Sequence, residues 1–284
     1  MAKITIPNNP TLEGLLDLKA NIPFACPDGD ELCLQLLKPR WHSGGKGFPL
    51  VVFIQGSGWT KPNQFWQIPQ LSLLARRGFV IASVTHRHRV KAPAPAFLKD
   101  VKTALRFLRA HAEEYDIDKE RVCAWGTSSG GNTALLLGLT GDDPAFEGED
   151  YAGESTCVQA VVDCFGPTDV NKMIDVQYAD KPKTVENTFY ALGGCNPDTY
   201  HETLRQVSPV TYVTPGRALP PFLILHGDAD ALVLYEDSED FYNMLVEQGY
   251  EADLVHVTNA PHEGNFWSLP LLEIIFDFIQ KKLA

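Results

Sequence analysis

The sequence predicts an α/β fold, a mostly parallel central sheet with helices on both faces and an inserted lid. Three observations predict it. Short apolar runs of strand type alternate regularly with segments of helical spacing from Glu31 to the end of the chain. A glycine-flanked stretch, G-T-S-S-G at 126–130, falls between one such strand and one such helix. The alternation is interrupted once, over about 167–220, a connection long enough in a compact domain to be a lid or pocket wall. The chain 1–284 is therefore read as a single domain carrying that insertion.

Each element follows from its own residues. ELCLQLLKP (31–39) alternates like a strand at a sheet edge, and PLVVFI (49–54) is the continuous apolar run of a buried parallel strand. IPQLSLLARR (68–77) has helical spacing and stops at Gly78; the β-branched FVIASVTH (79–86) follows as a strand. PAFLKDVKTALRFLRAHAEEY (95–115) sets Phe97, Val101, Leu105 and Leu108 on one helical face, with Pro95 near its start. RVCAW (121–125) reads as strand, NTALLLGL (132–139) as helix and CVQAVVDCF (157–165) as strand. The insertion then brings Gly193, Gly194, several prolines and the aromatics Tyr178, Phe189, Tyr190 and Tyr200. After it come strand FLILH (222–226), helix EDSEDFYNMLVEQG (236–249), strand EADLVHV (251–257) and closing helix LPLLEIIFDFIQKKL (269–283).

Bulk properties exclude several function classes. With 36 acidic against 24 basic residues the formal charge is −12, so a phosphate backbone is repelled and no nucleic-acid partner is expected. No run nears the about 18 apolar residues of a membrane span, and MAKITIPNNPTLEGLLDL lacks the pattern of a secretory leader. No membrane partner and a cytoplasmic location are expected. The six cysteines show no CxxC pair and read as buried small side chains in a reducing compartment rather than disulfides or metal ligands.

Chemistry concentrates at Ser128. Small residues at Gly126 and Gly130 let a strand end and a helix start approach closely, and the central serine then projects from a strained turn as a nucleophile. A solvated glycine-rich turn is the alternative. The same turn puts the Ser129 N–H at a helix N-terminus, where it can face a developing oxyanion. In sheets carrying such an elbow the acid follows the serine and the base comes last. His262, in the loop T-N-A-P-H-E-G, is the candidate base, whereas His256 is fixed within a strand. Asp228 and Asp230 both lie just past the strand FLILH, and spacing leaves either open as the acid; His226 reads as structural. The loop Q-G-S-G-W (55–59) offers Ser57 and Gly58 as further oxyanion donors, with Trp59 packing beside the substrate.

Other clusters carry less. His86 and His88 would share a face of a strand but lack a third ligand, so no metal is expected. Arg87, Arg89 and Lys91 read as a solvated loop, and Glu147, Glu149, Asp150 and Glu154 as an acidic loop that meets water.

PLVVFIQGSGW, AWGTSSGG, VVDCFGPTDV, VSPVTYV, PPFLILHGDADALV and the PHEG around His262, in that order from about Asn21 to the C-terminus, resemble a known family. It is that of the bifunctional feruloyl and acetyl-xylan esterases, α/β-hydrolases related to the hormone-sensitive-lipase-like and kynurenine formamidase groups. The resemblance implies an α/β-hydrolase fold and a serine esterase. It implies that the second aspartate of H-G-D-x-D, here Asp230, is the triad acid. In the family a histidine organises the oxyanion loop H-G-G-x-W; here Gln55 replaces that histidine and Ser57 the second glycine. The expected partner is a small-molecule or carbohydrate ester, with no cofactor, since triad chemistry needs none. An amide hydrolase such as an arylformamidase, and a non-catalytic binding module, are the alternatives.

Overall fold

Strands that are apolar along their whole length need cover on both faces, and the fold supplies it. In the computed structural model, which describes residues 1–177, 180, 184 and 186–284, the chain runs β1 (Leu16–Ala25), β2 (Leu32–Pro39), β3 (Phe48–Ile54), α1 (Ile68–Ala75), β4 (Val80–Val84), α2 (Ala96–Ala110) and α3 (Ala112–Tyr115). It continues through β5 (Ile117–Thr127), α4 (Ser129–Leu139), β6 (Ala160–Cys164), α5 (Val170–Gln177), α6 (Thr188–Leu192) and α7 (Tyr200–Gln206). It ends with β7 (Phe222–Gly227), α8 (Tyr235–Glu247), β8 (Ala252–Val257) and α9 (Leu269–Lys282).

The strands form one sheet in the order β1-β2-β4-β3-β5-β6-β7-β8. β1 and β2 are antiparallel to each other, as are β2 and β4. The pairs from β4 through β3, β5, β6 and β7 to β8 are all parallel. Side chains alternate between two cores. Leu50, Val52 and Ile54 of β3, with Phe222 and Ile224 of β7, face the core that includes α2, α4 and α8 residues. Val51 and Phe53, with Leu223 and Leu225, face the core built with α1 and α9. This two-sided burial is why these strands read as continuous apolar runs.

Three expectations need correction. ELCLQLLKP is not an edge strand, because β1 lies outside it. The sequence of β1 gives no alternation, since only Phe24 in it is buried and the rest is exposed or half-exposed. The side chain of the buried Gln35 ties β1 down: its Oε1 accepts the Asn21 N–H (2.9 Å) and its Nε2 donates to Asn21 Oδ1 (2.9 Å) where the register shifts. The helix expected over 95–115 breaks at His111, whose backbone (φ −108°, ψ 23°) leaves the helical region between α2 and α3. The strand expected over 79–86 stops at Val84, so His86 and His88 do not lie on it.

The cysteines also differ from expectation. All six are free, but only Cys123 and Cys164 are buried, while Cys26 and Cys157 are exposed. Between β6 and β7 the chain carries α5, α6 and α7; Tyr178 lies outside the described residues. Among the described residues no helix is long and apolar enough to cross a membrane, and no group of three or more His, Cys, Asp or Glu is arranged to hold a metal ion.

Candidate active site

Ser128 is the residue between β5 and α4. Its backbone is strained for a non-glycine residue (φ 53°, ψ −125°), and its N–H donates to Cys164 O of β6 at 2.8 Å. The flanking glycines explain how the turn closes. A Cβ on Gly126 would lie 2.0 Å from Gly130 O, and one on Gly130 would lie 2.0 Å from Ile54 O of β3. Neither position admits a side chain, and the crossing raises the serine hydroxyl beyond the sheet.

His262 meets that hydroxyl from the loop after β8. Its Nε2 lies 2.8 Å from Ser128 Oγ, and its Nδ1 lies 2.6 Å from Asp230 Oδ2. A carboxylate accepts only, so Nδ1 bears hydrogen and Nε2 is the acceptor for the Ser128 hydroxyl. The Phe165 ring packs edge-on against the imidazole at 4.7 Å between centroids. Asp230 Oδ1 accepts the N–H groups of Leu232 (2.8 Å) and Val233 (3.0 Å). Burial pushes the Asp230 carboxyl up, but hydrogen bonds from His226, His262 and the Val233 N–H, with the charge of His262, outweigh it and hold it well below the usual range.

Asp228, the other acid that spacing left open, is exposed and turned elsewhere. It accepts the Asn259 N–H at 2.5 Å and lies 2.9 Å from His256 Nε2. His226 does more than end a strand. Its Nε2 faces two acceptors, Asp230 Oδ2 (3.1 Å) and Val233 O (3.0 Å), so Nε2 carries hydrogen and Nδ1 takes the Ser238 hydroxyl (2.7 Å). The four-residue spacing from His226 to Asp230 was the one available signal for this contact; nothing in the sequence pointed to Phe165 or Ser238.

The loop after β3 stands beside Ser128. A cleft of about 310 Å³ is lined by Gly56, Ser57, Gly58 and Trp59 with Ser128, Thr188, Phe189, Leu232, Val233, His262 and Glu263. The Ser57 N–H donates to Ser129 Oγ at 2.9 Å and is occupied, whereas among the described residues the N–H groups of Gly58 and Ser129 have no protein acceptor. Ser57 has no positive φ; the left-handed residues are Gly58 (58°) and Trp59 (57°). Trp59 is buried, and its indole N–H has no acceptor among the described residues. Gln55 donates to Thr127 Oγ1 at 3.3 Å and leaves its Oε1 without a partner.

Two clusters expected to be solvated are so only in part: Lys91, Glu149 and Asp150 are exposed, whereas Arg87, Arg89 and Glu147 are held by partners. Arg87 pairs with Asp100 (2.8 Å) and Asp28 (2.7 Å), and Lys91 pairs with Asp30. Arg89 turns inward and donates to Gly58 O at 2.9 Å. In the acidic loop, Glu147 takes ion pairs from the buried Lys102 and Arg106, both at 2.8 Å.

Residues 34–245 match the family model BD-FAE. Esterase LipC of Mycobacterium tuberculosis is 31% identical over 201 residues, covering 70% of this chain and 49% of LipC. The chain spans about half the length of the curated relatives it matches. Among solved structures, a truncated form of a carbohydrate esterase from gut microbiota superposes with a TM-score of 0.80 at 26% identity, covering 97% of this chain and 99% of that one. A bifunctional GH43-CE protein of Bacteroides eggerthii superposes with a TM-score of 0.78 at 30% identity, over 92% of this chain and 38% of that one.

Proposed function

The chain belongs to the BD-FAE family and has the α/β-hydrolase fold, and from that premise we propose that it is a serine esterase cleaving carboxylic esters through Ser128, His262 and Asp230. The observation that carries the proposal is the single imidazole bridging a strained serine hydroxyl (2.8 Å) and a buried carboxylate (2.6 Å). As Ser128 Oγ bonds to the ester carbonyl carbon, His262 Nε2 takes its proton. Asp230 keeps Nδ1–H in place and stabilises the imidazolium without taking the proton. The carbonyl oxygen, now negative, meets the Gly58 and Ser129 N–H groups, which among the described residues have no other acceptor to leave. Collapse expels the alcohol, which receives the proton from His262. Water then attacks the acyl-enzyme with His262 again as base, and the carboxylic acid departs.

The substrate is a small-molecule or carbohydrate ester with a short acyl group. The cleft of about 310 Å³ lies at the small end of the range for ligand sites, and Trp59, Phe189, Leu232 and Val233 give it apolar walls. Kinship with carbohydrate esterases supports a sugar on the alcohol side. The segment of about 167–220 acts as a wall of the site through Thr188 and Phe189 of α6.

The test is Ser128→Ala assayed on p-nitrophenyl acetate beside labelling by a fluorophosphonate. The variant loses at least about 10³-fold in kcat and all labelling, with its fold intact by circular dichroism. A variant retaining wild-type turnover would refute the assignment, and a wild-type protein that neither labels nor turns over esters would leave only a binding module.

A further inference from the structure

The loop that presents the Gly58 N–H has an unusual backbone. Gly58 and Trp59 are both left-handed, and tryptophan, unlike glycine, adopts that region against steric resistance. Something must hold the loop there. Peptide planarity shows what sets its orientation, because a C=O and the N–H of the same peptide point opposite ways. The Ser57 carbonyl accepts the Thr60 N–H (3.2 Å) and the Thr60 hydroxyl (2.8 Å), so the Gly58 N–H is directed away from Thr60. The Gly58 carbonyl accepts Arg89 Nη1 (2.9 Å), and the Trp59 carbonyl accepts the Arg89 backbone N–H (2.9 Å). Arg89 therefore grips the two peptides that follow the oxyanion donor.

The cation itself is conspicuous. Arg87 and Lys91, its neighbours in the same loop, have carboxylate partners, whereas Arg89 among the described residues has none. Its Nε is buried without an acceptor among the described residues, and burial pushes its pKa down. A guanidinium held inward at such a disadvantage is not a surface charge placed for solubility. The side chain of Gln55, which stands where the resembled family has its loop-organising histidine, bonds among the described residues only to Thr127 and not to Gly58 or Trp59.

We propose that Arg89 is a positioning residue of the esterase: its guanidinium locks the Gly58–Trp59 peptide so that the Gly58 carbonyl stays turned away from the acyl oxygen that the Gly58 N–H meets. This rests on the reaction proposed above. The guanidinium touches no reacting atom. It prevents the peptide flip that would turn the Gly58 carbonyl inward, where its negative end would repel the developing oxyanion beside the donors, in place of the absent histidine. A planar fork with several donors suits gripping a carbonyl in a fixed orientation, which the single ammonium of lysine does less well.

The experiment uses the full chain and four proteins: wild type, Arg89→Met, Arg89→Lys and Arg89→Gly. On p-nitrophenyl acetate, Arg89→Met is expected to lose about 30-fold in kcat, somewhat less than the loss on deleting an oxyanion donor outright, with KM within about threefold. Affinity for an aryl trifluoromethyl ketone, which forms a tetrahedral adduct on the serine, falls by the same factor. Arg89→Lys lies between the two. Millimolar guanidinium restores Arg89→Gly by about tenfold, and the same concentration of urea does not, which a general loss of structure would not reproduce. Wild-type kcat in Arg89→Met, or unchanged ketone affinity in it, would overturn the inference while leaving the esterase reading intact. Wild-type protein without ester turnover would overturn both.

Discussion

Asp163 offers a sharp test of the electrostatics beneath Ser128. It is fully buried in β6, with Oδ1 accepting the Gly166 N–H at 3.0 Å and Oδ2 without any partner among the described residues. It supports the elbow by contact, since a Cβ on Gly131 at the start of α4 would lie 2.2 Å from its Oδ1. Burial pushes its pKa from the ordinary 3.8 to about 8, with the Gly166 bond opposing part of that rise. The sign follows from linkage. Below pH 3.8 both folded and unfolded chains carry the proton; between 3.8 and about 8 only the folded chain does, so stability falls as pH rises across that window and levels off above it. Asp163→Asn keeps the shape and the Gly166 bond and removes the titration. The variant should gain on wild type by about 1.4 kcal/mol per pH unit through the window, or about 4 kcal/mol at pH 7. The amide nitrogen in place of Oδ2 lacks an acceptor, but so does the protonated carboxyl, so that cost cancels at low pH. Urea unfolding of both proteins from pH 4.5 to 8.5 measures the difference. A difference that stays flat from pH 5 to 7.5 would show the carboxylate is ionised in the fold, and the reasoning from burial would fail.

Two further substitutions probe the catalytic line. Asp230→Asn offers His262 Nδ1 a donor where it needs an acceptor and should lower kcat by about 10³–10⁴-fold with little change in KM. Because the Asp230 pKa is depressed, the stability it contributes is fully present above its unfolded value of 3.8 and is lost as pH falls below it. The stability gap between wild type and Asp230→Asn should therefore close in acid-unfolding curves below about pH 4. Ser129→Ala removes the hydroxyl that occupies the Ser57 N–H, releasing a third donor toward the oxyanion. Steady-state kinetics should show kcat rising by up to about tenfold, less than the about 10²-fold of a fully formed donor; a tenfold fall would instead make the hydroxyl itself a donor.

How far the molecule could be read in its sequence depended on whether each feature was local. The parallel strands were legible because burial on both faces writes itself as an unbroken apolar run, as in PLVVFI and FLILH. β1 was not, because an outer strand with one buried side chain has no pattern to show, and it is held on β2 by a backbone ladder to which a glutamine side chain adds. The break at His111 was invisible for a related reason: α2 and α3 share one helical spacing, and the backbone departs from it at a single residue. At the site, the elbow is local chemistry and its glycines announced it. The distinction between Asp228 and Asp230 is tertiary: two similar carboxylates two residues apart are separated only by which one the chain buries between two imidazoles. Arg89 was misread as solvated for the same reason, since its partner is a backbone carbonyl 31 residues away, which leaves no trace in charge patterning.

The sheet order explains why these distant residues meet. β3 and β5 are neighbours, so the loop after one lies beside the serine after the other. β7 and β8 are neighbours, which sets Asp230 beside His262. Between β5 and β7 stands β6, holding the two halves about 10 Å apart, twice the spacing of adjacent strands. A serine and an aspartate at that separation cannot touch, but an imidazole with one nitrogen toward each spans the gap. β6 thus supplies none of Ser128, Asp230 and His262 and still governs how they meet. Its Cys164 carbonyl receives the Ser128 N–H, and Phe165, just past its end, packs against His262. A change in the backbone at 164–165 should therefore disturb the serine and the imidazole together, although neither side chain there carries a proton in the reaction.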